Sequence, residues 1–355
     1  MYVLSPWGSP VEAMHFLRVG ERRLAYEVRG PLHGGLPPLV APAWWVSHLE
    51  LDWQQPRVQR FWTGVAGERT LIRYDRMGVG MSDREVRDAD LTLEAEVETL
   101  RALCDELDLD RVSLLGGSSG GTTAIAYAAT YPERVDRLVL YGAYSRGDLL
   151  TPPEVGRAIV AAIDAHWGLG SRMLSDIFLG GADTAEHNRF ARLQRESAAA
   201  HTAAALLEMV YRLDVTAHLS EVRAPTTVVH RRGDRAISFE RGREVAAAIP
   251  GALLVPLQGD SHFPWHGDVD AVVRACRTGL AVTTGDARPP DTGLLSVRER
   301  DVLGCVARGL SDHDIAGQLG ISPHTVHRHV ANIRHKLGCP SRSAAVAEAT
   351  RRGLL

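Results

Sequence analysis

The sequence predicts two parts: a doubly wound α/β domain with a mostly parallel sheet and an inserted helical cap, then a small all-α domain. Three observations predict this. Over the first 145 residues, short apolar runs alternate with amphipathic helical stretches, the pattern of strands joined through covering helices. Strand signal then vanishes between 146 and 220 before returning. From 294 onward the chain breaks into short helices with capping residues at their starts.

Strands are expected at LAYEV (24–28), PPLVA (37–41), TLIRY (70–74), RVSLL (111–115) and RLVLY (137–141). Between them, 94–107 carries Val97, Leu100, Leu103, Cys104 and Leu107 at helical spacing. The helix-only stretch 146–220 interrupts the alternation, and such an insertion forms a cap over the C-terminal edge of the sheet. TTVVH (226–230) and ALLVPL (252–257) resume the strands, and a helix follows at about 268–280. TTGDARPPDTG (283–293) is rich in Gly, Pro, Asp and Thr and reads as an exposed linker between domains at 1–282 and 294–355.

Composition fits this plan. Of the 355 residues, 45% are apolar and 23% charged, the balance of a globular chain rather than a disordered one. No apolar run is long enough to span a membrane, and the N-terminus lacks a basic region followed by an apolar run. A cytoplasmic location without membrane contact is therefore expected. Cys104, Cys276, Cys305 and Cys339 are far apart and form no metal or redox spacing; they read as structural thiols, and no metal or cofactor is expected. The net charge of −3 is unevenly shared: residues 294–355 carry +4 and the remainder −7, so only the C-terminal part is suited to a polyanion.

The stretch LLGGSSGG (114–121) contains Gly-x-Ser-x-Gly in two frames, one centred on Ser118 and one on Ser119. A strand runs into it and a helical pattern follows, and both frames satisfy the close approach of strand and helix that such a turn needs. A serine hydroxyl becomes a nucleophile when a histidine takes its proton and a carboxylate orients that histidine. HRRGDRAISFE (230–240) and QGDSHFPWHGD (258–268) follow late strands and supply Asp234, His262 and His266; Asp234 also suits a cap for the helix starting near Ser238.

LLGGSSGG resembles the nucleophile elbow of the α/β-hydrolase family, and YDRMGVGMSDR (74–84) resembles that family's Asp-x-x-Gly-x-Gly-x-Ser turn. The resemblance covers about residues 14–282. It implies Ser118 as nucleophile, His262 as base, Asp234 as acid and the Ser119 N–H as an oxyanion donor, with Asp75 and Arg76 structuring their turn. One departure stands out. Many family members carry His-Gly after the strand ending near Ala41, whereas this chain reads APAWWVSHLE (41–50). Pro42 has no N–H to offer; Trp44 is the expected second oxyanion donor, and Trp44 and Trp45 equally suit the wall of a ligand pocket.

The C-terminal segment LSVRERDVLGCVARGLSDHDIAGQLGISPHTVHRHVANIRHKLG reads as three helices. Ser296-x-x-Glu299 is a capping box ahead of Val302, Leu303, Val306 and Leu310. Ser311 caps a second helix that Gly320 stops, and Ser322-Pro323 opens a third with a buried stripe of Val326, Val330, Ile333 and Leu337. A fourth is expected over 343–352. The opposite face of the third helix shows Thr325, His327, Arg328, Ala331 and Arg334, with Lys336, the only lysine of the chain, near its end. A short helix, a tight turn and a polar-faced helix form the layout of a major-groove reader. The segment resembles the LuxR/FixJ-type helix-turn-helix, which implies His327, Arg328 and Ala331 at base edges and Thr325 and Lys336 on phosphates.

Two functions remain open at this point. The chain is expected to be a double-stranded-DNA-binding transcription regulator whose hydrolase-like domain senses a small molecule, acting as a homodimer on half-sites about 34 Å apart. The alternative is a serine hydrolase of esters with secondary DNA binding.

Overall fold

The computed structural model describes residues 14–32, 35–281, 295, 297–352 and 354–355. The expected linker and Ser296 lie outside the described residues. Contacts divide the chain into two units, one holding residues up to Leu100 with Arg111–Ala281, the other Arg101–Asp110 with the C-terminal segment.

The first unit is built on an eight-stranded sheet: β1 (His15–Val19), β2 (Arg22–Arg29), β3 (Leu39–Ala41), β4 (Leu71–Tyr74), β5 (Val112–Gly117), β6 (Val135–Tyr141), β7 (Thr226–Arg231) and β8 (Leu253–Leu257), in the order β1-β2-β4-β3-β5-β6-β7-β8. β1 and β2 are antiparallel and the other pairings from β4 to β8 are parallel. The expected strands fall within β2–β8. β1 was not expected, because on this edge strand only Leu17 is buried while Phe16 is exposed, so alternation is too short to register. Pro256 lies in β8, at the other edge, where no further strand needs its missing N–H.

Helices α1 (Leu49–Trp53), α2 (Pro56–Ala66), α3 (Leu93–Glu106) and α4 (Ser119–Thr130) connect the first strands. Five helices follow β6: α5 (Pro153–Ala165), α6 (Trp167–Phe178), α7 (Thr184–Ser197), α8 (Ala200–Arg212) and α9 (Thr216–Leu219). Then come α10 (Phe239–Ala248) and α11 (Val269–Leu280). Leu115, Val139, Tyr141 and Val229 pack with residues of α2 and α11 in one cluster. Their strand neighbours Leu114, Leu138, Leu140 and Val228 point the other way and are also buried, so both faces of the central strands are covered.

A second cluster shows why the inserted helices form a cap. Leu174, Leu206, Leu207 and Val210 bury themselves against Trp45, Val79, Tyr144 and Ile237. Those four residues follow β3, β4, β6 and β7, so the cap rests on the C-terminal ends of parallel strands, the edge where sites in such sheets form.

In the second unit, α12 (Val297–Ala307), α13 (Asp312–Leu319), α14 (Pro323–Leu337) and α15 (Arg342–Arg351) surround a core of Leu303, Ile315, Val326, Ile333 and Ala349. Ser311 and Asp314 form a reciprocal capping box at α13, and Gly320 and Gly338 end α13 and α14 in the left-handed conformation. Val330 is only partly buried; His329 takes a buried place on α14 instead. Ser311→Ala removes the acceptor for the Asp314 N–H and should destabilise α13 by about 1 kcal/mol, read as faster amide exchange across Asp312–Leu319.

Candidate functional site

The turn from β5 into α4 positions the serines. Ser118 sits between them at φ 52, ψ −128, a region costing about 1–3 kcal/mol for a residue with a side chain. Its N–H donates to the Tyr141 carbonyl at 3.0 Å, and its carbonyl accepts from the Gly121 N–H at 2.9 Å. Ser119 is the first residue of α4 and is buried. The two frames are thus distinguished: Ser118 occupies the strained apex.

The glycines around it answer to the segment after β3. A Cβ on Gly120 would lie 2.6 Å from the Pro42 carbonyl oxygen, and one on Gly117 would collide with the Trp44 indole. That segment is held from behind, since buried Arg76 donates to the Ala43 carbonyl at 2.9 Å and pairs with Glu96. Asp75 accepts from Ser47 Oγ, the Leu49 N–H and the Met81 N–H. Asp75 and Arg76 therefore brace the turns around the site, as expected of them.

Asp234 follows β7 and His262 follows β8, neighbouring strands that bring them together. His262 Nδ1 donates to Asp234 Oδ2 at 2.8 Å, with both side chains almost fully buried. Asp234 Oδ1 accepts the Ala236 and Ile237 N–H groups at 3.0 Å each, bracing the turn ahead of α10; the N-cap of that helix is Ser238, so Asp234 does not cap it as expected. Burial pushes the Asp234 carboxyl up, but the charge and hydrogen bond of His262, with the Ile237 N–H, outweigh it and leave the pKa below the usual range. His266 does not join this pair; it lies 3.9 Å from Glu186, and burial lowers its pKa to about 4.

Ser118 is close to the pair through one step of backbone. Its N–H partner Tyr141 precedes Gly142, where a Cβ would lie 3.2 Å from His262 Cε1 and 3.3 Å from Asp234 Oδ2. Among the described residues Ser118 makes no hydrogen bond to His262, whose Nε2 is buried without a partner. Arg231 was missed by the sequence reading. It is fully buried and donates to the carbonyls of Ser261 (2.8 Å) and Phe263 (2.9 Å), clamping the loop on both sides of His262. The doubled arginine at the start of HRRGDRAISFE was the available signal.

Beside the pair lies a cavity of about 440 Å³, within the size range of small-molecule sites. Trp44, Trp62, Phe190, Phe263 and Trp265 give it aromatic walls, and Asp52, Arg57, Arg73, Glu186, Arg189 and His266 its polar groups. Arg57 is paired with Glu186, and Arg73 shares Glu27 with Arg29. Arg189 is exposed and has no carboxylate partner among the described residues. Trp45 turns away, into the cap cluster with Trp167 and Phe178.

In the second unit, His327, Ala331 and Arg334 are exposed on α14. Arg328 is half-buried and donates to the carbonyl of Asp105, a residue of the same unit. Two of the expected residues have structural partners. Thr325 is buried with its hydroxyl 2.8 Å from Ser322 Oγ, at the cap of α14. Lys336 donates to Glu299 at 2.7 Å; that carboxylate is fully buried and needs a cation, so the lone lysine carries a structural duty beside any on DNA.

Comparison with known proteins finds relatives of both parts of the chain. A family model for the alpha/beta hydrolase fold matches residues 64–199, and one for bacterial regulatory proteins of the luxR family matches 293–349. A 2-hydroxy-6-oxononadienedioate/2-hydroxy-6-oxononatrienedioate hydrolase of Cupriavidus pinatubonensis is 31% identical over 199 residues, 54% of this chain and 68% of that protein. A Mycobacterium tuberculosis protein named as an HTH-type transcriptional regulator is 51% identical over 61 residues, 17% of this chain and 7% of its own length. The enol-lactonase structure from Burkholderia xenovorans LB400 superposes with a TM-score of 0.62 at 24% identity, covering 75% of this chain and 99% of that one. The chain belongs to the α/β-hydrolase family and carries a C-terminal LuxR-type helix-turn-helix domain.

Burial raises the Asp52 carboxyl to about 7 against the pull of Arg73. A carboxyl raised in the folded state favours folding while protonated; that benefit is complete below about pH 4 and is lost as pH rises through about 7. Asp52→Asn should therefore melt with the native protein near pH 4 and above it at pH 8. Equal melting temperatures at pH 8 would contradict the burial argument.

Proposed function

We propose that the chain is a DNA-binding transcription regulator whose α/β-hydrolase domain takes up a small carbonyl compound, with Ser118, His262 and Asp234 acting as nucleophile, base and acid. The observation that carries this is the buried His262–Asp234 bond beside a strained serine turn, on a chain that also has a LuxR-type domain. In this reading His262 Nε2 takes the Ser118 proton as Oγ adds to the carbonyl, and Asp234 stabilises the imidazolium that results. Charge developing on the carbonyl oxygen faces the N–H groups of Ser119 and Trp44.

The cavity supports an apolar ligand bearing one acidic group. Its aromatic walls favour rings or unsaturated chains, and Arg189, with Arg73, which shares its carboxylate with Arg29, supplies positive charge. The hydrolase relative is named for an unsaturated keto diacid, which is chemistry of that class. On the DNA side, exposed His327, Ala331 and Arg334, with Arg328 once released from Asp105, meet base edges in the major groove, and Lys336 lies near phosphate. A single reading helix makes few contacts, so the working form is a homodimer on paired half-sites, acting in the cytoplasm.

The second reading, an esterase-like hydrolase with secondary DNA binding, draws on the same His262–Asp234 pair and on the hydrolase relatives. Anisotropy titrations on duplex DNA over a salt series separate the two. The regulator should bind at low salt with affinity falling linearly on a log–log plot, and Arg334→Ala should weaken it. Ser118→Ala should bind DNA as the native chain does, while losing p-nitrophenyl acetate hydrolysis. Absence of DNA binding at low salt would overturn the regulator reading.

A further inference from the structure

We propose that Trp44 is a gate between two compartments, the aromatic cavity on one side and the Ser118 turn on the other, so that a compound can be held in the cavity without being cut. This rests on the reading of Ser118 as nucleophile. Ser118, Ser119 and His262 are not among the walls of the cavity, whereas Trp44 is, together with Phe263 and Trp265. The same indole covers the chemical side. It lies where a Cβ of Gly117, the residue before Ser118, would stand. Its ring centroid is 6.3 Å from that of His262, while on the cavity side it stacks on Phe263 at 5.7 Å and on Trp265 at 5.2 Å.

Two buried polar atoms at this boundary are without a partner. Trp44 Nε1 is buried with no hydrogen-bond partner, and so is His262 Nε2. A buried donor without an acceptor is destabilising, so the indole is held in place by stacking alone on its polar edge. Rotation of the indole away from Gly117 would join the compartments and bring the ligand carbonyl towards Ser118 Oγ and His262 Nε2. The glycine at 117 is what gives the large ring its resting place; the backbone segment that carries it is braced separately by Arg76. Residue 44 thus sets the balance between holding a ligand and hydrolysing it.

The test uses the full chain and two p-nitrophenyl phosphonates, one with a small ethyl group and one with a bulky naphthyl group, following p-nitrophenolate release as Ser118 is modified. Trp44→Phe, Trp44→Leu and Trp44→Ala form a graded series, with thermal melting to identify any variant that fails to fold. The native chain should react with the ethyl probe and only slowly with the naphthyl one. Trp44→Leu and Trp44→Ala should accelerate the naphthyl probe by about tenfold or more relative to the ethyl probe, with Trp44→Phe between them and the native chain. A naphthyl-to-ethyl rate ratio unchanged across the folded variants would overturn the gate while leaving Ser118 as nucleophile. No reaction of either probe with the native chain or any folded variant would overturn the assignment of Ser118 and the gate together.

Discussion

The buried bond between His262 and Asp234 is the constraint around which the first unit is arranged. It places a titratable ring and a carboxylate where water is excluded, a costly choice unless each polar atom is answered. Asp234 spends one oxygen on the Ala236 and Ile237 N–H groups and the other on the imidazole. Arg231 fixes the backbone on both sides of His262, and Gly142 leaves the space both side chains need. These residues come from β6, β7 and β8 or the loops behind them, so sheet order is what assembles the pair.

The serine turn is the second half of the arrangement, and it is strained. Backbone at φ 52 persists at Ser118 because strand and helix on either side over-determine it, and because the segment from Pro42 to Trp44 packs against Gly117 and Gly120. In place of His-Gly after β3, this chain has a proline and a tryptophan pair. The two indoles part company: Trp44 walls the cavity and packs beside Gly117, while Trp45 anchors the cap. A hydrolase fold with its base covered in this way is well suited to recognition, and its relatives by sequence are named as hydrolases.

Much of this was legible in the sequence because it depends on local rules. The strand-to-helix serine turn and the caps at Ser311 and Ser322 follow from spacing and turn chemistry, whereas the preference for Ser118 over Ser119 and for His262 over His266 came from the family resemblance. What escaped depends on tertiary packing. β1 has too little buried surface to leave a pattern, and Arg231 acts through carbonyls distant in sequence. Thr325 fits either face of α14 by periodicity, and the Ser322 hydroxyl decides in favour of burial. The pairing of the lone lysine with buried Glu299, 37 residues away in sequence, left no local signal either. That the Trp44 ring walls the cavity and fills the space beside Gly117 also needed the third dimension.

A regulator requires that ligand and DNA affect each other's affinity, since a compound with equal preference for both states shifts nothing. The direct measurement is DNA affinity of the chain before and after complete phosphonylation of Ser118, with Ser118→Ala exposed to the same reagent as control. The account predicts a several-fold change in the dissociation constant of the modified chain and none in the control. Identical affinities for modified and unmodified chains would contradict it, leaving a hydrolase fold and a helix-turn-helix that merely share a polypeptide.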